Sequence, residues 1–242
     1  MRVLILGHNG MLGHMVMKYL ESNDISIDTT NLRWSTNEFK TFIKDYDGDF
    51  IINCIGAIHQ RTNEFDVNWE LPIFLDFHSK CPIIHPGTDC EMDTDNYGTS
   101  KRIARDFIVS NSKQTKSIKT SILGPEKNTR SSLMEWFLSN EDGQEIFGYS
   151  EYFWNGNTTL TWSEIALDLI KNWHSYPKEI IVSSVCVSKK EILHSLNEVF
   201  QRKIIINKKD DVRFDKCLIG NITTPHIKTQ LQKLKEFYYD NN

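Results

Sequence analysis

The chain opens on MRVLILGHNGMLG, and this segment narrows the fold more than any other. Val3 to Leu6 is an unbroken apolar run that ends at Gly7, the pattern of a short buried strand. From Met11 onward, Leu12, Met15, Val16, Tyr19 and Leu20 recur at helical spacing along one face. Gly7, Gly10 and Gly13 therefore fall in a strand-to-helix turn. A turn built without Cβ atoms lets backbone N–H groups approach a pyrophosphate at the start of the helix. Gly7, Asn9, Gly10, Met11, Leu12 and Gly13 are the residues it would present to a dinucleotide. The spacing is G-x-x-G-x-x-G and differs from the G-x-G-x-x-G pattern. A tight βα turn in any α/β protein is the plainer alternative. The position, directly after a strand and opening a helix, favours the dinucleotide.

A second signal lies in HPGTDCEMDTDNYGTSK. Asp93 to Asn96 are turn and cap residues, and the spacing predicts a helix from Tyr97 to about Ser110. Tyr97 and Lys101 are four apart and share one helical face. A phenol with a pKa of about 10 is a poor proton donor at neutral pH unless its environment helps. A lysine ammonium one turn away would stabilise the phenolate, and a cationic nicotinamide ring would add to that. Thr88 ends the preceding strand and can hydrogen-bond a substrate oxygen. An isolated Y-x-x-x-K would be an ordinary surface pair; the glycine turn upstream changes that balance.

With these residues in place, the chain resembles the extended short-chain dehydrogenases/reductases. Within them it is similar to the dTDP-4-dehydrorhamnose reductase branch, whose members reduce 4-keto groups of nucleotide-linked deoxysugars. GHNGMLG, DFIINCIGAIHQ, IIHPGTDCEM, YGTSKRIAR, KTSILGPE and WNGNTTLTWSEIA carry the likeness, in the family's order. The resemblance implies a catalytic triad of Thr88, Tyr97 and Lys101. It implies pyrophosphate contacts from Gly7, Gly10 and Gly13, and a cofactor wall of Cys54, Ile55 and Gly56. Tyr97 and Lys101 would also touch the cofactor, Lys101 at the nicotinamide ribose. Three departures stand out. Only nine positions separate Thr88 from Tyr97, Lys119 stands where the family often has arginine, and the segment between the second strand and 49–55 is short enough to reduce or remove a strand.

Composition narrows the function classes. Charged residues are 25% and apolar residues 39%, ordinary for a globular protein. The net charge of −4 and the absence of a basic cluster argue against nucleic acid. No apolar run approaches membrane-spanning length, and Arg2 leads straight into a core-like strand, so neither a membrane span nor a signal peptide is expected. Five cysteines without C-x-x-C spacing are read as free thiols in a reducing cytoplasm, and the scattered histidines predict no metal site.

The remaining pattern alternates strands and helices. Strands are expected near 25–27, 49–55, 82–85, 117–123, 179–185 and 203–207. Helices are expected near 68–77, 131–138, 162–173, 189–200 and 227–239, with Ser188 and Glu191 forming a capping box. The predicted fold is α/β: a Rossmann-type doubly wound parallel sheet with a small C-terminal α/β substrate subdomain. Residues 1–123 would form the dinucleotide domain, completed by parts of 158–187, and 124–242 a smaller, interleaved sugar-nucleotide region. Asp28 and Arg33 follow the second strand and send opposite signals on cofactor choice; Arg33 could bind a 2′-phosphate, which tilts the reading to NADPH over NADH. The resemblance also implies that the region after the 117–123 strand carries the sugar-nucleotide cleft, which makes Trp136, Trp154, Asn155 and Thr158, with Thr88, the substrate-side candidates; aromatics can stack on bases or sugars and amides or hydroxyls can bond their oxygens. The expected partner is a nucleotide-linked deoxysugar, with a homodimer as the assembly considered. Two other functions fit the same residues: a nucleotide-sugar epimerase with tightly held NAD, and a non-catalytic dinucleotide-binding regulatory subunit.

Overall fold

The structure, a computed structural model, describes residues 1–127 and 132–240. The first half alternates β1 (Arg2–Leu6), α1 (Met11–Glu21), β2 (Ser26–Thr29), α2 (Asn37–Asp45), β3 (Phe50–Asn53), α3 (Val67–His78), β4 (Ile83–Gly87), α4 (Asn96–Ser110) and β5 (Thr115–Lys119). There follow β6 (Ile122–Leu123), α5 (Leu133–Leu138), β7 (Glu145–Tyr149), β8 (Tyr152–Trp154), β9 (Asn157–Thr158) and α6 (Thr159–Lys171). The last third holds β10 (Glu179–Ser183), β11 (Val187–Ser188), α7 (Lys189–Val199), β12 (Ile205–Lys209), β13 (Phe214–Asp215), β14 (Ile222–Thr223) and α8 (Ile227–Lys235).

A seven-stranded sheet runs in the order β14-β10-β5-β4-β3-β1-β2. The pairs β1–β2, β1–β3, β3–β4, β4–β5 and β10–β14 are parallel. This is a Rossmann-type α/β sheet, as the alternation predicts. The chain leaves β1 for β2 on one side and returns to β3 on the other, which creates a topological switch point at the carboxyl ends of β1 and β3. Ligands of open α/β sheets bind at such points. Among the described residues no strand lies beyond β2, in line with the short segment before β3.

The chain divides into two compact units, Met1–Lys119 with Ser163–Ile180, and Thr120–Trp162 with Ile181–Asn242. In the first unit, Leu4, Leu6, Phe39, Ile43, Ile51, Leu71, Leu75 and Ile83 form one buried cluster. Burying each such side chain is worth about 1.5–3 kcal/mol, and the cluster fixes α2 and α3 on the sheet. In the second unit β11-β8-β13 form a three-stranded sheet, and β12–β7 and β6–β9 form two-stranded ones. The capping box at Ser188 and Glu191 is present at the start of α7.

Several expectations change in detail. The strand expected over 117–123 is two strands, β5 and β6, that end up in different sheets. The helix near 131–138 begins at Leu133, and Ser131 lies outside the described residues. The free-thiol reading is corrected: Cys186 and Cys217 are joined in a disulfide, while Cys54, Cys81 and Cys90 are free. The two half-cystines are 31 positions apart, and the flanks of β11 and β13 bring them together, which spacing alone does not show.

Candidate active site

The glycine turn is tighter than the sequence requires. Gly7 has φ +77°, and a Cβ there would sit 2.9 Å from the carbonyl carbon of Cys54. A Cβ on Gly13 would lie 2.2 Å from the Gly7 oxygen, so only glycine lets α1 pack against the end of β1. Gly10 caps α1 without a side-chain bond, and no acidic residue occupies the first turn. The N–H groups at Met11, Leu12 and Gly13 therefore begin a helix whose positive end carries no side-chain acceptor. These features fit a pyrophosphate.

A cavity of about 550 Å³ opens over this turn, lined among others by Gly7, Asn9, Gly10, Arg33, Trp34 and Ile55. Arg33 is exposed at its rim. Asp28 is directed elsewhere: its carboxylate accepts from the Tyr46 hydroxyl at 3.0 Å and pairs with Arg2 at 3.3 Å. Of the two charged residues at the end of β2, Arg33 lines the cavity and Asp28 joins a separate network.

The wall formed by Cys54, Ile55 and Gly56 follows β3. Burial pushes the Cys54 thiol up, so it remains an un-ionised packing group. Asn68, fully buried on α3, accepts from the Ala57 N–H at 2.8 Å and donates to the Ala57 carbonyl at 3.0 Å and to the Ser100 hydroxyl at 3.1 Å. It ties this wall to α4.

Thr88 follows β4 and caps a single 3-10 turn, Asp89–Met92. Its hydroxyl accepts from the Cys90 N–H at 3.3 Å and donates to Asp89 at 3.0 Å, while its own N–H donates to Glu91 Oε1 at 3.1 Å. Glu91 is buried and paired with Lys119 at 2.6 Å. Burial pushes the Glu91 carboxyl up, and the Lys119 ammonium opposes that shift. Asp95 caps α4 by accepting from the Gly98 N–H at 2.7 Å, which starts the helix one residue before Tyr97.

The three candidates Thr88, Tyr97 and Lys101 are brought together. The Tyr97 phenol hydrogen-bonds Thr88, and burial pushes its pKa above the ordinary tyrosine value, with Cys90, Asp89 and Glu91 adding to the rise. The direction is opposite to the one expected from Lys101, because burial is the largest influence on the phenol. Lys101 is buried, and its Nζ lies 3.5 Å from the Pro86 carbonyl. A Cβ on Gly56 would stand 3.8 Å from that ammonium, so Lys101 reaches the cofactor wall. Burial lowers the Lys101 pKa, with Glu91 pulling it back up.

The substrate-side candidates sit in the second unit and differ in availability. Trp136 is 40% exposed on α5, whereas Trp154 is 7% exposed. The Asn155 amide exchanges two 2.8 Å hydrogen bonds with the Leu218 backbone. The Thr158 hydroxyl accepts from the Thr161 N–H at 3.2 Å and caps the first turn of α6. Both polar side chains are committed to internal structure. Sequence reasoning missed Glu91, Asn68 and His59. The T-x-x-E spacing of Thr88 and Glu91 was a visible capping-box signal; Asn68 and His59 carried none.

The chain is thus a Rossmann-type α/β protein with a glycine turn at the switch point of its sheet and Thr88, Tyr97 and Lys101 at the end of β4 and the start of α4. Solved structures share the fold. The chain is similar to dTDP-4-dehydrorhamnose reductase from Bacillus anthracis in complex with NADP, with TM-score 0.78, 15% identity, and coverage of 100% of this chain and 99% of that one. It is similar to a GDP-6-OMe-4-keto-L-xylo-heptose reductase from C. jejuni, with TM-score 0.72, 10% identity and coverage of 100% and 98%. The UDP-N-acetylglucosamine 4-epimerase from Bacillus cereus also matches, with TM-score 0.72, 12% identity and coverage of 96% and 97%. At these identities the likeness shows the fold. No family model and no curated protein matches the sequence.

Proposed function

We propose that the protein is an NAD(P)H-dependent reductase of a nucleotide-linked 4-keto-6-deoxysugar, acting in activated-sugar synthesis for a polysaccharide or glycan. The observation that carries this reading is the convergence of Thr88, Tyr97 and Lys101 beside a glycine-turn crevice. A bound reduced nicotinamide supplies the hydride. Tyr97 donates its phenolic proton to the keto oxygen, and its raised pKa keeps that proton in place through the neutral range. Thr88 holds the same oxygen through its hydroxyl. Lys101, at the Gly56 wall, holds a ribose hydroxyl and supports the phenolate left after proton transfer. Arg33 at the cavity rim favours NADPH, since a guanidinium can grip a 2′-phosphate with two hydrogen bonds. Trp136, Trp154, Asn155 and Thr158 are the proposed substrate-side set, with exposed Trp136 the member free to stack on a base or sugar.

A homodimer is the proposed assembly, through the exposed apolar side chains Phe77 of α3 and Ile103 and Val109 of α4. Sedimentation equilibrium reads its mass. The neighbouring epimerase fold keeps a second reading in play, in which the hydride returns to the sugar.

The test is NADPH and NADH oxidation with 4-keto-6-deoxy sugars linked to dTDP, UDP and GDP, with Tyr97→Phe alongside. Stoichiometric oxidation that falls by at least about 10²-fold in the variant is the expected result. Equal turnover in Tyr97→Phe refutes the triad. Purified protein that carries tightly bound cofactor and consumes none supports the epimerase.

A further inference from the structure

We propose that His59 and Asp95 are positioning residues for Tyr97, clasping the loop after β3 to the first turn of α4. The proposal rests on the reductase reading and adds to it two residues outside the triad.

The loop from Cys54 to Asp66 begins as the cofactor wall and then passes the start of the helix that carries Tyr97 and Lys101. Two independent contacts fasten it there. His59 Nε2 meets Asp95 Oδ2 at 3.1 Å, while the other Asp95 oxygen caps α4 at the Gly98 N–H. One carboxylate thus holds both the loop and the helix start. The second contact is aromatic. The His59 ring lies 5.2 Å from the Tyr97 ring and 5.0 Å from Phe65, and Phe65 lies 5.7 Å from Tyr97. These three rings form a triangle whose members touch pairwise, within the range of favourable aromatic packing. Phe65 is buried and forms its inner corner.

The consequence is geometric. The Tyr97 hydroxyl is held at its tip by Thr88 and along its ring by two loop residues. A proton donor must sit within hydrogen-bond reach of the reacting oxygen, and a misplacement of about 1 Å can cost on the order of 10²-fold. The side chains of His59 and Asp95 are each 49% exposed, so their pairing adds little to stability. A clasp of this kind has a larger effect on the placement of Tyr97 than on folding. An ordinary surface ion pair would affect neither.

Two variants separate the contacts. His59→Phe keeps a ring against Tyr97 and loses the bond to Asp95. Asp95→Ser keeps a good N-cap oxygen for the Gly98 N–H and is too short to reach His59. Expected are a fall in kcat of about tenfold for each, KM for NADPH within about twofold, and a double variant no worse than the singles, since both break one contact. Unchanged kcat in both singles, or losses that multiply in the double variant, would overturn the clasp. So would losses that merely track a fall in Tm. A readout independent of turnover is the NMR signal of 13Cζ-labelled tyrosine, with Tyr97 assigned through Tyr97→Phe. The signal should move in both variants, and a signal that stays in place refutes the proposal even if no sugar is reduced. Failure of the reductase reading is recognised separately, by a wild type that oxidises no cofactor.

Discussion

Glu91 offers the sharpest test of how the site is held. Its carboxylate accepts from the Thr88 N–H on one side and pairs with Lys119 on the other, with the two side chains 3% and 10% exposed. Glu91→Ala leaves the Lys119 ammonium buried and unpaired, which costs about 3–5 kcal/mol. It also removes the acceptor of the Thr88 N–H, about 1 kcal/mol more. The sum, about 4–6 kcal/mol, is a large share of a typical stability of about 5–15 kcal/mol. For a chain of this size about 2–4 °C accompanies each kcal/mol, so Tm should drop by roughly 8–24 °C. Glu91→Gln keeps an oxygen for the Thr88 N–H and loses only the charge, so it should lose about 3 kcal/mol in urea denaturation. Pairing Glu91→Gln with Lys119→Met should recover most of that loss, because the uncompensated charge is gone. A drop of less than about 1 kcal/mol in Glu91→Ala would refute the reasoning, as would a double variant no more stable than Glu91→Gln.

Four further outcomes follow from the same structure. Arg33→Gln should weaken NADPH by about 10- to 150-fold in a fluorescence titration and leave NADH nearly unchanged, the value of a charge-assisted hydrogen bond of about 1.5–3 kcal/mol; equal losses for both cofactors would remove Arg33 from the 2′-phosphate site. Gly13→Ala should abolish dinucleotide binding in calorimetry, since its Cβ would sit 2.2 Å from the Gly7 oxygen. Reducing the Cys186–Cys217 bond, which closes a loop over 31 positions, should cost about 3–4 kcal/mol, read as a lower Tm with dithiothreitol. Asp76 accepts from Ser112, Thr115 and the Gln114 N–H, which together hold its carboxyl below the usual range against burial. A carboxyl lowered on folding stabilises fully above its unfolded pKa of about 3.9, and the contribution is lost as pH falls through the folded value. Asp76→Asn should therefore lower Tm at pH 7 and close the gap to wild type in strong acid.

Much of this protein is determined locally. A strand that ends in Gly7 and a helix that needs Gly13 follow from hydrophobic period and the absence of Cβ atoms, properties of a dozen contiguous residues. The same holds for Tyr97 and Lys101, which one helical turn brings to one face, and for the cap at Ser188. The Thr88–Glu91 capping box was written in the spacing too.

What only the tertiary structure decided depends on residues distant in the chain. Asp28 and Arg33 are five positions apart, yet Tyr46 and Arg2 draw the carboxylate away and leave the guanidinium at the cavity. Cys186 meets Cys217 because the strands of one small sheet place their flanks side by side. Asn155 and Thr158, attractive in sequence as ligands, are taken up by the Leu218 backbone and by a helix cap. The Tyr97 pKa rises where the local argument from Lys101 lowers it. Periodicity and propensity act over one or two turns of chain, whereas burial, and the partner each buried polar group must find, are set by the packing of the whole unit.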